Sequence, residues 1–250
     1  MSIISPRISV MLQCVRKASN ALIRDFNELQ VSQLKSSSFI ESAYSRSAKI
    51  IRDGLYNYKN DSNFVFEGDA ESEINSDYSW FLLPIDGKEN FEKSIVCFAI
   101  SVCLIYKNKA VAAVVDIPAL KETFWAEEGK GAFLDSSSRF IKMRIGSKQR
   151  LSSCIIDCYN IDWNLLSNLL SHNFNLRIFG SIMLGFMYLA LGRFDIILYS
   201  NIHKYKVLMG RLFLQESGYG KVTEKNGLVV AGNSALHQLL VSEINKNTAC

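Results

Sequence analysis

The sequence is poor in the residues and patterns that mark several common protein classes. It has only three prolines and three histidines, and none of its six cysteines forms a Cys-x-x-Cys pair. A zinc site is therefore not predicted, because zinc-binding cysteines and histidines recur at short spacings. The longest apolar stretch, Ile95–Tyr106, is interrupted by Ser101 and is too short to cross a bilayer.

An excess of charge of one sign is also missing. The net charge is +4 over 250 residues, and lysine and arginine form no stripe, so no direct nucleic-acid motif is predicted. No basic segment with an apolar run behind it opens the chain, so we expect no secretory signal and a reduced, cytoplasmic protein. We expect the cations of the C-terminal half to lie on a solvated face. They are Arg193, Lys204, Lys206, Arg211, Lys221 and Lys225.

The apolar residues that are present, 48% of the chain, follow helical spacing at first. After Ser5-Pro6 they recur every three or four positions to Leu29, which predicts one long amphipathic helix with a serine cap. A second helix, capped by the serines at 36–38, is predicted to bury Ala43, Ser47 and Leu55. The length fits one large α/β domain or two lobes that share a core.

After Gly54 the pattern becomes that of strands, rich in β-branched and aromatic residues. The predicted strands are Phe64–Phe66, Ser79–Leu83, Ile95–Tyr106, Ala110–Ile117 and Thr123–Ala126. Pro84 is expected to end the second strand. Cys97 and Cys103 are expected to be small core residues of the third.

From about residue 150 strands and helices alternate, which predicts layered sheets and helices. The strands are Cys154–Cys158, Phe194–Tyr199 and Leu228–Ala231, and the helices are Trp163–Leu170, Gly180–Leu191, Lys204–Ser217 and one capped by Asn233-Ser234. We therefore predict an α/β protein with an α+β lobe at residues 1–145 and an α/β lobe at 146–250.

A few single residues invite a functional interpretation that the pattern does not favour. Ser181 lacks the Gly-x-Ser-x-Gly frame of a nucleophile and is predicted to cap a helix. His203 is expected to be exposed rather than a catalytic base, and Trp80 and Trp125 are expected to be core residues of strands.

The most informative segment is residues 78–91, which read YSWFLLPIDGKENF. This segment resembles the metal-binding loop of the inositol monophosphatase family, Asp-Pro-Ile/Leu-Asp-Gly-Thr followed closely by Asn-Phe. The whole chain is similar to that family, particularly to its bacterial extragenic-suppressor (SuhB) branch. The similar stretches are Leu29–Ser32, Trp80–Phe91, Phe98–Ser101, Trp125–Phe133, Phe179–Ser181, Gly192–Asp195, Gln215–Gly218 and Ala231–Asn233.

The resemblance implies a layered αβαβα sandwich of the sugar-phosphatase type. Family members hydrolyse phosphate monoesters with Mg²⁺, which takes oxygen ligands and activates a bound water. The resemblance further implies a homodimer. It also implies a role in transcription and ribosomal RNA maturation with Nus factors and RNA polymerase.

The resemblance places the first group of metal ligands in two segments. Glu67 is the expected glutamate ligand, Ile85 would offer its backbone carbonyl, and Asp86 is the retained aspartate. Leu83 stands where the family has a metal-bridging aspartate. Lys88 stands where a threonine positions the attacking water.

A second family motif, Trp-Asp at the start of a helix, reads Tyr205-Lys206 in this chain. Lys206 thus replaces a further metal-binding aspartate. Tyr199 and Tyr44 stand where the family has other acids. The exchanges at Leu83, Lys88 and Lys206 make the site about four charge units more positive, and nearby like charges repel by a few kcal/mol each. The binding of Mg²⁺ is therefore predicted to be weak or absent.

Three hypotheses follow. The favoured one is a catalytically impaired or inactive regulatory or binding protein, in which Lys88 and Lys206 pair with Asp86 and Glu67. The second is a module in which Gly87, Lys88 and Lys206 bind a phosphate-bearing small molecule without metal. The third is a working Mg²⁺-dependent phosphatase for inositol 1-phosphate or a related monoester, in which Glu67 and Asp86 hold one ion. The acids near them in sequence are Asp69, Glu71 and Glu89.

Overall fold

Seven α-helices and twelve β-strands form in the part of the chain that the computed structural model describes, which is residues 4–32, 37–56, 58, 63–67, 69, 77–136, 139–170, 173–218 and 220–247. The helices are α1 (Pro6–Ser32), α2 (Ser37–Tyr56), α3 (Lys88–Glu92), α4 (Trp163–Leu170), α5 (Ile182–Ala190), α6 (Lys204–Glu216) and α7 (Ser234–Asn247). The strands are β1 (Asn63–Phe66), β2 (Tyr78–Asp86), β3 (Ala99–Tyr106), β4 (Lys109–Ile117), β5 (Glu122–Glu127), β6 (Gly131–Ser136), β7 (Arg139–Lys142), β8 (Ile155–Tyr159), β9 (Asn175–Arg177), β10 (Ile196–Ser200), β11 (Gly220–Lys225) and β12 (Leu228–Asn233).

The strands form two sheets. The first sheet runs in sequence order from β1 to β7, and only its β1–β2 pair is parallel. The second sheet has the order β11-β12-β10-β8-β9, with β8 parallel to both β10 and β9. Antiparallel hairpins therefore build the first sheet, and helical connections build the centre of the second.

Helices cover both faces of both sheets. Trp80 and Leu82 of β2 pack against α1 and α2, whereas Phe81, between them, faces α5 and α6. In the second sheet Ile197 faces α5 and α6, and Ile196 faces the opposite layer of α4 and α7. Because successive strand residues point to opposite faces, each sheet buries two apolar surfaces. The resulting order of layers is αβαβα, which confirms the predicted fold class.

The predicted N-terminal helices form as expected. The Ser5 hydroxyl accepts a hydrogen bond from the Ile8 amide at 3.2 Å, and the apolar stripe down to Leu29 is buried. Ala43, Ser47 and Leu55 of α2 are also buried. Residue 36 lies outside the described ranges, so the predicted serine cap of α2 is not tested.

Pro84 was expected to end its strand, but it does not. Strand β2 continues to Asp86, with a register shift against β3 between Leu83 and Asp86. Its other neighbour, β1, is paired only as far as Leu82. Pro84 therefore lies at an irregularity and beyond the end of β1, where a missing amide hydrogen breaks no regular ladder bond.

Three other expectations were wrong, one about the start of the third strand and two about the exposure of Cys97 and His203. The third strand begins at Ala99 rather than Ile95, so Ile95 is exposed and Cys97 is only half-buried. Cys103, Trp80 and Trp125 are buried as predicted. His203 is half-buried because its ring stacks on Phe81 at 5.3 Å between centroids.

Several short segments with polar residues were not predicted from the sequence. Strands β6, β7, β9 and β11 and the short helix α3 were not predicted, because their mixed polar composition gives no clear period. None of the described helices is both long enough and apolar enough to cross a membrane. The division of the chain into lobes 1–145 and 146–250 stays a prediction.

Candidate functional site

Asp86 lies at the end of β2 with its side chain almost fully buried, at 2% exposure. Its Oδ2 atom accepts hydrogen bonds from the Ser181 hydroxyl at 2.7 Å and from the Met183 amide at 2.8 Å. The carboxylate thus sits at the N-terminus of α5, where the helix dipole favours negative charge. Ser181 also accepts from the Leu184 amide at 3.3 Å, which confirms its predicted role as a helix cap.

Lys206 is buried between two carboxylates. Its Nζ atom lies 2.6 Å from Glu67 Oε1 and 2.9 Å from Asp86 Oδ1. Burial alone would lower the pKa of Lys206, but the two carboxylates outweigh it and the pKa is raised. The side chain therefore carries a full positive charge inside the protein. The expectation that Lys206 belongs to a solvated face was wrong.

The residues at this position do not fit a magnesium ion. Mg²⁺ needs near-octahedral oxygen ligands at about 2.0–2.1 Å. The Lys206 ammonium lies between the carboxylates of Glu67 and Asp86, and the buried Leu83 side chain supplies no oxygen. In the part of the chain that the structure describes, no group of three histidine, cysteine or acidic side chains is placed to hold a metal.

Lys88 does not pair with either acid, contrary to the favoured hypothesis. Its ammonium lies 4.2 Å from the centre of the Tyr44 ring, a cation–π contact at the surface. Gly87 has a φ of 80°, and this left-handed turn starts α3 so that Lys88 is exposed. Burial, followed by the charges of Glu67 and Asp69, raises the pKa of Tyr44 to about 12.

A cavity of about 190 Å³ opens beside the ion pair. Six of the predicted site residues line it, namely Glu67, Ile85, Asp86, Gly87, Lys88 and Lys206, whereas Leu83, Tyr44 and Tyr199 do not. Glu89 and Tyr159 line it too, and sequence reasoning did not find Tyr159. The carboxylate of Asp69 instead accepts from the Phe66 amide at 2.7 Å, and Glu71 lies outside the described residues.

Asn90 also lines this cavity and holds three segments together. Its side-chain nitrogen donates to the carbonyl oxygens of Cys97 and Phe179, both at 2.6 Å. These bonds tie α3 to the segment before β3 and to the turn that carries Ser181. Asn90 therefore positions the residues that hold Asp86.

Tyr199 faces the protein interior rather than the cavity. Its hydroxyl donates to Asp157 Oδ2 at 2.6 Å, and the Phe179 amide donates to Asp157 Oδ1 at 3.2 Å. Burial raises the pKa of Asp157 to about 6, although these hydrogen bonds favour the charged form. A lone aspartate inside the apolar strand IIDCY was the signal for this buried pair, and the sequence analysis missed it.

Comparisons with known proteins agree with the order of the layers. The sequence profile described as "Inositol monophosphatase family" matches residues 4–249. The chain is 30% identical to an inositol-1-monophosphatase of Rhizobium meliloti over 266 residues, with 97% of each chain covered. It is 24% identical to the Nus factor SuhB of Buchnera aphidicola over 258 residues, with 96% of this chain and 97% of that protein covered. The crystal structure of the extragenic suppressor protein SuhB from Bartonella henselae superposes with a TM-score of 0.84 at 28% identity, over 96% of this chain and all of that one, 100%.

Proposed function

Because this chain belongs to the inositol monophosphatase family, we propose that it is a catalytically inactive member that acts as a regulatory or binding protein. The observation that supports the proposal is the Lys206 ammonium, which lies within 2.9 Å of both Glu67 and Asp86. The ammonium neutralises charge of the two acids, as a bound metal ion would.

The chemistry of phosphate monoester hydrolysis explains why this exchange matters. Metal ions neutralise the phosphate and lower the pKa of the attacking water. A divalent cation could enter only if Lys206 left two carboxylates to which it is hydrogen-bonded, and breaking a buried pair is costly. Leu83 removes the bridging ligand as well. The remaining groups, a paired lysine and the exposed Lys88, do not generate a hydroxide at neutral pH.

The names of the relatives suggest the kind of binding role. Several of them are Nus factors, among them those of Buchnera aphidicola and Pseudomonas aeruginosa. We propose that this chain likewise acts through transcription-related protein partners, as a cytoplasmic homodimer. Such a role requires the fold of the family and the surface that it presents, but it does not require a metal ion.

The deciding experiment measures phosphate release from inositol 1-phosphate over a range of Mg²⁺ concentrations. The Rhizobium meliloti relative is assayed in parallel as the positive control. We expect no release by this protein at any Mg²⁺ concentration. Mg²⁺-dependent turnover would contradict the proposal and favour the alternative, a phosphatase in which Glu67 and Asp86 hold one ion.

A matched pair of variants tests the physical cause. The double variant L83D/K206D restores the two aspartates, and we expect calorimetry to detect Mg²⁺ binding that the wild type lacks. Lys204→Asp makes the same change of charge as Lys206→Asp alone, two residues away on the same helix, and is expected to bind no Mg²⁺. A folded double variant without Mg²⁺ affinity would show that positions 83 and 206 are not the ones that matter.

Phosphate binding without metal is a second candidate, favoured because Gly87 and the exposed Lys88 line the same cavity as Lys206. The expected result is Mg²⁺-independent binding of inositol 1-phosphate that Lys88→Glu abolishes. Lys93→Glu, one turn further on at an exposed position, is the control for net charge. Equal affinity in Lys88→Glu and wild type would rule this candidate out.

A further inference from the structure

A second and larger cavity lies on the other face of the first sheet. Its volume is about 370 Å³, and α1, the ends of β4, β5 and β6, and the turn after β4 enclose it. Asp116 belongs to the strand face that packs against α1, whereas its neighbours Val115 and Ile117 face α5 and α6. The cavity shares no lining residue with the one at Asp86.

The floor of this cavity is polar and buried. Ser19, Asp116 and Thr123 line it, and each is more than nine-tenths buried. Thr123 Oγ1 donates to Asp116 Oδ1 at 2.5 Å. The Ser19 hydroxyl lies close enough to the same carboxyl group to favour its charged form, but the contact lacks the geometry of an ordinary hydrogen bond, and no other described residue bonds to this hydroxyl. A buried hydroxyl of this kind costs free energy unless a ligand or water completes its bonding.

The charges of the rim and the floor balance when they are taken together. Arg16 and Asp135 form an ion pair at 2.5 Å, and Lys121 and Asn20 stand beside them. With Asp116 included, the lining has two cations and two acids, so it has no net attraction for an anion or a cation. Ile23 and Pro118 are the apolar residues of the lining, and they stand beside the polar floor.

The chemistry of the lining therefore selects the ligand. Closely spaced donors and acceptors in a pocket without net charge match a molecule that carries hydroxyl groups on adjacent carbons. The volume lies within the range of small-molecule sites. We propose that this cavity binds a neutral polyhydroxylated small molecule of the size of a monosaccharide. Such a site rejects a ligand without the hydroxyls, because its own buried polar groups would stay unpaired.

The test is a titration followed by two-dimensional NMR of the amide groups of the full chain. The probes are D-ribose and D-glucose, with cyclohexanol and inorganic phosphate as comparators. We expect saturable shifts in the segments 16–23 and 116–123 with a sugar, at millimolar affinity, and none in these segments with the comparators.

Three variants locate the binding. Ser19→Ala removes the floor hydroxyl and Asn20→Ala removes an exposed rim amide, so at least the second cannot threaten the fold. Each is expected to weaken sugar binding by about tenfold. Ser47→Ala removes another buried hydroxyl without a hydrogen bond, on α2 and outside the cavity, and is expected to change nothing.

Several outcomes would overturn the proposal. They are no saturable shift with either sugar, shifts confined to the cavity at Asp86, tighter binding of phosphate than of sugar, or equal weakening by Ser47→Ala. The first would show that the cavity holds water alone. The proposal does not depend on the function assigned to the site at Asp86.

Discussion

At the scale of single residues, Lys206 determines what its two acidic neighbours do. Glu67 and Asp86 are oxygen ligands by type, yet each has its carboxylate within 3 Å of an ammonium nitrogen. Ser181 and the Met183 amide satisfy the other oxygen of Asp86. The acids are therefore held as partners of a lysine, and both carboxylate oxygens of Asp86 are hydrogen-bonded.

Replacing Lys206 by methionine should destabilise the fold strongly, because it leaves two acids with no cation. We expect the free energy of unfolding to fall by about 3 kcal/mol, the lower end for a broken buried pair, because Glu67 is 33% exposed. Urea unfolding measures this loss. Lys204→Met, on the same helix, should change stability little, and a similar loss in both variants would contradict the role given to the pair.

Asp157 should make stability depend on pH between its unfolded and folded pKa values. Well below pH 4 the carboxyl is protonated in the folded and in the unfolded chain, so the free energy of unfolding is at its highest with respect to this group. As the pH rises toward 6 the unfolded chain ionises first, and the free energy of unfolding falls by up to about 3 kcal/mol. Asp157→Asn should remove this fall while keeping the shape of the side chain.

The measurement is urea unfolding at several pH values between 3 and 7. Glu28→Gln, at an exposed position on α1, serves as the control and should keep the wild-type profile. An identical profile for wild type and Asp157→Asn would show that Asp157 ionises normally in the folded protein.

At the scale of elements, α5 approaches β10 more closely than ordinary side chains allow. A Cβ atom at Gly185 would lie 1.7 Å from the Tyr199 hydroxyl and 2.5 Å from Asp157 Oδ2. The absence of a side chain at Gly185 therefore leaves room for the Tyr199–Asp157 hydrogen bond. This bond limits how closely α5, the helix whose N-terminus binds Asp86, can approach β10. The site and the buried pair are coupled through the placement of one helix.

Gly185→Ala should consequently destabilise the protein by about 1–3 kcal/mol, the usual cost of overpacking a core. In a Tyr199→Phe background the same substitution should cost less, because the nearest atom is gone. A double-mutant cycle by thermal or urea unfolding measures this coupling. Strict additivity of the two substitutions would show that the helix shifts away without strain.

Elements were predicted well where one period dominates. The stripe on α1 and the strands around Trp80 and Trp125 have clear spacing, and both were located correctly. Strand β11, with the sequence GKVTEK, has none because it pairs only with β12 at an edge. Pro84 misled the prediction because the tolerance of a strand for proline depends on where the neighbouring strand ends, which the local sequence does not contain.

At the scale of the whole molecule, the candidate site could be predicted only in part. Resemblance brought positions 67, 86 and 206 together, and the structure places them in contact. It could not tell which lysine pairs with the acids, because the turn at Gly87 directs Lys88 toward Tyr44. Asp157 and Asn90 escaped prediction because their partners lie far along the chain.

The expected homodimer is a prediction for the whole molecule. Sedimentation equilibrium should give a mass close to twice the 28.2 kDa of one chain. Relatives with this fold are expected to pair in the same way, so the argument is one of analogy. A mass that stays at that of one chain at all concentrations would contradict it.

Lys206 joins the ends of β1 and β2 to α6, so it links the first sheet to the middle helical layer. A metal-built joint exists only while the free ion is abundant, and a chelator dissolves it. Here the cation is the Lys206 ammonium, which is part of the polypeptide and cannot dissociate from it. The joint should therefore stay closed in cells starved of magnesium and in solutions containing EDTA, whatever else the protein binds.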